Sequence, residues 1–119
     1  MAVTVLIVDD DERFRVLARR MLTTWGYQPE SEAGSVTEAL RRVAESRPDV
    51  AFVDVGLPDG TGLELSRILA EAPWRIRVIL VSSDSDAATP AEAAAAGAAA
   101  FVPKTELSRA LVRSLLEHE

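Results

Sequence analysis

The sequence contains no cysteine, and its only histidine is His118, close to the C-terminus. Without cysteine the chain has neither a disulfide framework nor a thiolate nucleophile. A single imidazole at this position also argues against an active site centred on histidine. Carboxylate, hydroxyl and lysine side chains are therefore the groups that must carry any chemistry.

Long apolar runs are also missing, since none approaches the ~20 residues that a helix needs to span a bilayer. The N-terminus has neither the basic region nor the small-residue cleavage site of a secretory signal. We therefore expect a cytoplasmic protein without a membrane partner. The 119 residues, 48% of them hydrophobic, predict one domain over positions 1–119 with a buried core.

Positive charge is scarce, because 13 basic residues face 19 acidic ones and the formal net charge is -6. This balance opposes binding to the phosphate backbone of a nucleic acid. Direct nucleic-acid binding by this chain is therefore not expected. Most of the acidic residues are interpreted as a solvated surface, and the informative ones are those that directly follow an apolar run.

Unbroken apolar runs predict strands that are buried on both faces of a sheet. Val50–Val53 is such a run and stops at Asp54. Val3–Val8, with one threonine, stops at Asp9, and a further apolar strand, Ile76–Val81, stops at Ser82. Two weaker strands complete the set: residues 27–32, which suit an edge strand, and Ala98–Val102, which Pro103 and Lys104 end.

Between the strands, apolar residues recur at spacings of three and four, which predicts amphipathic helices. The stripes are Phe14, Leu17, Ala18, Met21, Leu22 and Trp25; Leu40, Val43 and Ala44; Leu63, Leu65, Ile68 and Leu69; and Leu107, Ala110, Leu111, Leu115 and Leu116. One more helix is marked by Thr89, Pro90 and Glu92, which combine an N-cap, a first-turn proline and a capping-box acid. Its alanines bury little apolar area, so we expect this helix to be weakly packed and mobile.

Five alternations of strand and helix predict a layered α/β domain with a parallel sheet. In such a sheet all carboxyl ends lie on one edge, so the polar groups that end the strands can converge: Asp9, Asp10, Asp54, Ser82 and Lys104. Clustered carboxylates repel one another and raise a pKa unless a cation intervenes. Mg²⁺ suits this cluster, because it prefers carboxylate, water and phosphate oxygens.

With a metal screening its charge, an aspartate can act as a nucleophile toward phosphorus. A phosphoryl group in transfer spreads negative charge over its oxygens, which calls for a metal, an ammonium and a hydroxyl donor. In this sequence Asp9 with Asp10 can hold the metal, Lys104 supplies the ammonium, and Ser82 supplies the hydroxyl. Asp54 is the candidate nucleophile.

Four segments together resemble the receiver domain of two-component response regulators: L-I-V-D-D at 6–10, V-D-V-G-L-P-D-G-T-G at 53–62, V-I-L-V-S-S at 78–83 and G-A-A-A-F-V-P-K at 97–104. Each is weak alone, but four in order across the chain are specific. The resemblance implies a flavodoxin-like fold, in which five helices flank a doubly wound five-stranded parallel sheet of order 2-1-3-4-5.

The resemblance also implies a function. The chain would be a signalling switch that accepts a phosphoryl group with Mg²⁺ from a sensor histidine kinase or a phosphotransfer protein. Its only catalysis would be its own phosphorylation and autodephosphorylation, so it would not be a turnover enzyme. A phosphorylation-dependent homodimer is a further partner that the family suggests.

On this resemblance Asp54 is the phosphoacceptor, and Asp9 and Asp10 are the acidic pair that positions Mg²⁺. The backbone carbonyl of Gly56 is a further metal ligand. Within the acidic triplet the register stays open, because Asp10 with Asp11 is an alternative pair. Acids at the start of a helix are also favoured by the helix dipole without any metal.

The resemblance makes Ser82 the switch hydroxyl, Lys104 the phosphate-binding lysine and Phe101 the aromatic switch residue. Phe101 has no hydroxyl, so its switching would rely on ring packing, and it could equally be plain core. Thr105 follows the lysine where the family often has proline, so no cis peptide bond is expected there. Near the site, Gly56 offers no side chain, and we hypothesise that Asp84 influences the water that attacks the phosphorylated aspartate.

Two other classes of function stay open. The first is a pseudo-receiver, which binds partners through the same fold without phosphorylation. The second is a Mg²⁺-dependent phosphohydrolase with Asp54 as nucleophile, which is disfavoured because the chain has no room for a substrate cap domain.

Overall fold

The computed structural model describes residues 2–117, so His118 lies outside the described part of the chain. In chain order its strands are β1 (Thr4–Val8), β2 (Gln28–Ala33), β3 (Val50–Asp54), β4 (Gly56–Leu57), β5 (Gly60–Thr61), β6 (Arg77–Ser82) and β7 (Ala100–Pro103). Its α-helices are α1 (Glu12–Thr24), α2 (Val36–Ser46), α3 (Gly62–Ala70), α4 (Pro90–Ala95) and α5 (Arg109–Glu117), and a 3-10 turn covers Lys104–Glu106. None of these helices is long and apolar enough to cross a membrane.

Five strands form one parallel sheet in the order β2-β1-β3-β6-β7. Strands β4 and β5 stand apart as a small antiparallel hairpin, so the sheet strands, counted along the chain, have the order 2-1-3-4-5. The predicted flavodoxin-like sheet with five helices is therefore confirmed, and β2 is an edge strand. The hairpin is not foreseen by the sequence, because its glycine- and proline-rich segment has no apolar alternation.

The apolar runs are unbroken because both faces of the sheet are covered. Successive strand residues point to opposite faces. In β1, Leu6 and Val8 join a buried cluster with residues of α2 and α3, whereas Val5 and Ile7 join a second cluster with residues of α1 and α5. All four side chains are fully buried.

Helix α1 buries a narrower face than its stripe predicts. Phe14, Ala18 and Leu22 are buried at a spacing of four. Leu17, in contrast, is 52% exposed, so its place in the apolar stripe does not bury it. It lies about 100° around the helix from Ala18, on the flank that the sheet does not cover.

The stripes of α2, α3 and α5 need similar corrections. Ala44, Ile68 and Ala110 are exposed, and Leu107 precedes α5 instead of belonging to it. Val112, which the stripe omitted, is the buried residue of α5. Each helix packs one side on the sheet, so apolar residues at its flank stay in water, as is common at protein surfaces.

Helix α4 begins with the predicted cap. The hydroxyl of Thr89 accepts a hydrogen bond from the Glu92 amide at 3.1 Å, and the Glu92 carboxylate accepts one from the Thr89 amide at 2.9 Å. The end of the helix is held by more than packing, because the Ser66 hydroxyl of α3 donates to the Ala96 carbonyl at 2.9 Å. Ser66 and Ala96 are both fully buried.

Candidate functional site

The carboxyl ends of β1 and β3 place two aspartates side by side. Val8 pairs with Val53 in the sheet, so the next residue of each strand, Asp9 and Asp54, stands at the same edge. Asp9 is fully buried and Asp54 is 8% exposed. Such acids are costly to bury without a compensating positive charge.

Three carboxylates converge at this edge. Asp9, Asp10 and Asp54 each offer an oxygen, and these oxygens all lie within 4.8 Å of one another. Asp10 is exposed to solvent. The remaining acid of the triplet, Asp11, points its carboxylate elsewhere, since Oδ1 accepts a hydrogen bond from the Arg13 amide at 3.0 Å and caps α1.

Lys104 brings the compensating charge. It is the first residue after β7, and its Nζ lies 2.5 Å from Oδ2 of Asp9 and 3.7 Å from Oδ1 of Asp54. Oδ2 of Asp9 is buried without a directional hydrogen bond, so this ion pair is what satisfies it. The lysine side chain is only 13% exposed.

The surroundings of Asp54 disfavour its charged form. Burial, and then the negative charge of Asp9, raise the pKa of Asp54 from 3.8 to about 6. Lys104 opposes this shift and Asp10 adds to it. One lysine therefore does not balance the cluster, and a further cation would.

Backbone contacts fix the position of Asp9. Its Oδ1 accepts a hydrogen bond from the Asp11 amide at 2.9 Å, and its carbonyl accepts one from Nη1 of Arg15 at 2.6 Å. Arg15 also forms an ion pair with Glu32 of β2 at 3.2 Å. The start of α1 and the edge strand thus hold the acidic loop between them.

Ser82 lies at the end of β6, next to β3 in the sheet. It is 8% exposed, and its hydroxyl oxygen accepts a hydrogen bond from the Asp84 amide at 3.0 Å. The Asp84 carboxylate in turn accepts one from the Asp86 amide at 2.9 Å. The loop after β6 is therefore ordered around the serine hydroxyl.

The loop after Asp54 is anchored at two points. The exposed carboxylate of Asp59 accepts hydrogen bonds from the amides of Val36 and Thr37 at 2.7 and 3.0 Å, which caps α2 and lowers the pKa of Asp59. Gly56 opens the hairpin in an exposed position.

Gly62, the first residue of α3, is the second anchor. It packs so closely on β3 that a Cβ there would lie 2.2 Å from the Asp54 carbonyl oxygen. Its amide donates to the Val55 carbonyl at 2.7 Å. The absence of a side chain at Gly62 is therefore a requirement of the backbone around Asp54.

Phe101 stands apart from the carboxylate cluster. It lies in β7, is half-buried, and packs against the cluster that covers the α2 and α3 face. With Pro90, Ala93 and Ala94 of α4 it lines a cleft of about 260 Å³. An aromatic ring beside alanines leaves room for repacking, but this position also suits ordinary core.

Sequence reasoning missed several residues that shape the site. Phe14 was placed only in an apolar helical stripe, yet its ring centroid is 4.2 Å from Nζ of Lys104. Arg15 was assigned no role, and Asp59 and Gly62 entered only as part of the segment at 53–62. The spacing of Gly62 after Asp54 was visible in the sequence, whereas contacts of Phe14 and Arg15 depend on how α1 packs.

The family of the chain follows from comparison with known proteins. The sequence profile of the response regulator receiver domain matches residues 5–116. The chain belongs to this family.

Individual receiver proteins agree with this assignment. The chain is 40% identical over 129 aligned positions to the DNA-binding transcriptional activator DevR/DosR of Mycobacterium tuberculosis, covering 98% of this chain and 58% of that protein. It is 30% identical over 104 positions to the chemotaxis protein CheY of Thermotoga maritima, with 87% of each chain covered. A CheY-like receiver domain protein from Methanospirillum hungatei superposes with a TM-score of 0.81, at 25% identity, covering 98% of this chain and 93% of the other.

The relatives differ in how much of their own length this chain covers. The chain spans little more than half of DevR/DosR, so the DNA binding named for that protein is not carried over to this chain. CheY of Thermotoga maritima is similar to this receiver domain over nearly its full length. The receiver domain is thus a signalling module, and its acidic cluster could hold a metal ion.

Proposed function

We propose that this chain, over residues 1–119, is a single receiver domain that is switched by phosphorylation of Asp54. The observation that carries the proposal is the meeting of an acidic cluster with a buried lysine at one edge of the sheet. Nζ of Lys104 lies within 3.7 Å of carboxylate oxygens on both Asp9 and Asp54. A nucleophile, a metal-binding pair and a phosphate-binding cation are thereby within reach of one phosphoryl group.

The cluster fits Mg²⁺ on the chemistry of its donors. Oxygens of Asp9, Asp10 and Asp54 lie within 4.8 Å of one another, and Mg²⁺ takes a few carboxylates together with phosphate oxygens. The raised pKa of Asp54, caused by burial and by the charge of Asp9, supports a cluster that a divalent cation would stabilise. The carbonyl of Gly56 is the proposed additional ligand. A bound Mg²⁺ would withdraw negative charge from the phosphoryl oxygens.

The reaction is a direct transfer to the carboxylate. An oxygen of Asp54 attacks the phosphorus of a phosphohistidine on a sensor kinase or a phosphotransfer protein. The new oxygen–phosphorus bond forms as the nitrogen–phosphorus bond breaks, and the departing imidazole keeps the electron pair and takes up a proton. The Lys104 ammonium moves from Asp9 toward the phosphoryl oxygens, since these then carry the larger charge.

The hydroxyl of Ser82 is suited to respond. A serine hydroxyl has one donor and two acceptor sites. Because the oxygen of Ser82 accepts from the Asp84 amide, its proton is free to be donated to a phosphoryl oxygen. A movement of Ser82 would then pull on the loop that leads into α4.

The output is proposed to run through α4 and β7. Helix α4 is six residues long, and Phe101 lies beside it at a small cleft. Repacking of this ring would change the surface offered to a downstream protein or to a second copy of the chain. Cytoplasmic localisation and Asp84 control of the phosphate lifetime remain predictions.

The test is intact-mass measurement after incubation with a small phosphodonor, such as acetyl phosphate, with and without Mg²⁺. The wild type should gain one phosphoryl mass only when Mg²⁺ is present, and Asp54→Asn should gain none. Asp59→Asn is the matched control, because this carboxylate lies in the same loop but caps α2.

Two results would contradict the proposal. A wild type that stays unmodified while binding no Mg²⁺ would favour a pseudo-receiver. Continuous turnover of small phosphoesters by the wild type, lost in Asp54→Asn, would favour a phosphohydrolase.

A further inference from the structure

The ring of Phe14 lies against the ammonium group of Lys104. Phe14 is 8% exposed in α1, and its centroid lies 4.2 Å from Nζ of Lys104. This distance is well inside the ~6 Å at which an aromatic face attracts an ammonium ion. The contact joins a helix on one face of the sheet to the last strand that ends at the site.

The lysine needs such a contact because little water reaches it. Its side chain is 13% exposed, and an ammonium that loses hydration stays charged only when other groups replace the water. The carboxylate of Asp9, 2.5 Å from Nζ, replaces part of this water, and that of Asp54, at 3.7 Å, does so more weakly. Phosphorylation would convert the Asp54 carboxylate to an acyl phosphate and draw the ammonium away from Asp9, whereas the aromatic face of Phe14 is chemically unchanged.

The ring is also held firmly with respect to the acidic loop. Asp11 caps α1 through the Arg13 amide at 3.0 Å, and Arg15 of the same helix donates to the Asp9 carbonyl at 2.6 Å. The first turns of α1 therefore fix Phe14 and Asp9 as one unit.

We infer that Phe14 is a positioning residue for Lys104, which holds the ammonium by a cation–π contact while it passes from Asp9 to a phosphoryl oxygen on Asp54. This inference rests on the proposed phosphorylation of Asp54. Attraction to a ring face has no single required direction, so the ammonium can slide across it. A third carboxylate would instead pin the ammonium.

Two changes at Phe14 test the inference in the full chain. Phe14→Leu keeps an apolar side chain but removes the ring. A ring-fluorinated phenylalanine at the same position keeps the shape of the ring and weakens only its negative face. Leu22→Val is the matched control, because Leu22 is buried in the same helix and the same cluster, far along the chain from the site.

The first readout is the NMR spectrum of the Lys104 side chain without phosphodonor. Its ε-methylene protons should be shifted upfield by the ring in the wild type and in Leu22→Val. They should return to ordinary positions in Phe14→Leu. An unshifted wild type would overturn the contact itself, independently of any phosphorylation.

The second readout is the rate of phosphorylation by a small phosphodonor at saturating Mg²⁺. Phe14→Leu should be slower by up to about tenfold, because the ring matters most while the ammonium has left Asp9 and has not yet reached the phosphoryl oxygens. Tenfold corresponds to about 1.4 kcal/mol, which lies in the range of a desolvated cation–π contact. The fluorinated protein should fall between Phe14→Leu and the wild type, and Leu22→Val should match the wild type. Equal rates in the wild type and both Phe14 variants would overturn the positioning role alone. A wild type that is not phosphorylated would instead overturn the proposed function.

Discussion

The close packing of Gly62 on β3 makes a sharp prediction for Gly62→Ala. The added methyl would lie 2.2 Å from the Asp54 carbonyl oxygen and 2.9 Å from the Val55 Cα. Both are backbone atoms of the segment that carries Asp54, the proposed phosphoacceptor. No side-chain rotation can relieve the contact, so α3 or the end of β3 must move.

The size of the effect follows from that distance. Ordinary contact begins at 3.4 Å, so the backbones must separate by about 1.2 Å. Overpacking of well-packed regions commonly costs about 1–3 kcal/mol. Because this clash is between main-chain atoms and disturbs the 2.7 Å bond from the Gly62 amide to Val55, we expect a cost of about 3 kcal/mol or more, a large part of a typical domain stability.

Urea unfolding measures this cost, with Gly56→Ala as the matched control in the same loop. A Cβ at Gly56 would meet nothing within 4 Å, so the control should unfold close to the wild type. Gly62→Ala should have a much lower urea midpoint and should be phosphorylated more slowly, since Asp54 is displaced. Equal midpoints for the two alanine variants would refute the close approach of α3 to β3.

Three further predictions concern pH and α4. Because the pKa of Asp54 is raised from 3.8 to about 6, the folded state binds more protons than the unfolded state in that interval, and its stability falls as pH rises. Metal-free Asp54→Asn should therefore be more stable than the wild type at pH 7 in thermal melts. Equal stability would contradict the destabilisation of the Asp54 carboxylate by burial and by the charge of Asp9. Asp59 has a pKa lowered from 3.8, so Asp59→Ala should be less stable than the wild type at pH 7. This difference should shrink from about pH 3.8 downward and vanish once pH has fallen through the lower pKa of the folded state; a difference that persists in acid would show that the charged cap is not its cause. Ser66→Ala leaves the buried Ala96 carbonyl without its hydrogen-bond donor, which should lower the free energy of unfolding by about 1–3 kcal/mol and speed amide hydrogen exchange in α4. The control Ser114→Ala, at an exposed position, should change neither quantity.

The sheet could be predicted because its strands are buried on both faces. This arrangement leaves unbroken apolar runs, such as Val50–Val53, that end abruptly at a polar residue. Parallel pairing then brings Asp9, Asp54 and Lys104 to one edge without any knowledge of side-chain contacts. The convergence was therefore visible in the sequence, although the distances were not.

Other features depend on packing that a sequence pattern does not specify. Phe14 and Leu17 belong to the same apolar stripe, yet one contacts the lysine and the other is exposed. The Asp59 cap of α2 joins residues that are 23 positions apart, and the Ser66 bond joins residues 30 positions apart. Such contacts are set by the angle at which each helix meets the sheet.

The most direct test of the central claim is to locate the phosphoryl group. The protein is phosphorylated by a small phosphodonor with Mg²⁺, the acyl phosphate is reduced with borohydride, and the homoserine that results is located by peptide mass mapping. Homoserine should replace Asp54 alone, and none should form without Mg²⁺ or in Lys104→Met at short reaction times. Homoserine at Asp9, Asp10 or Asp59, or none at any position, would contradict the assignment of Asp54 as the phosphoacceptor.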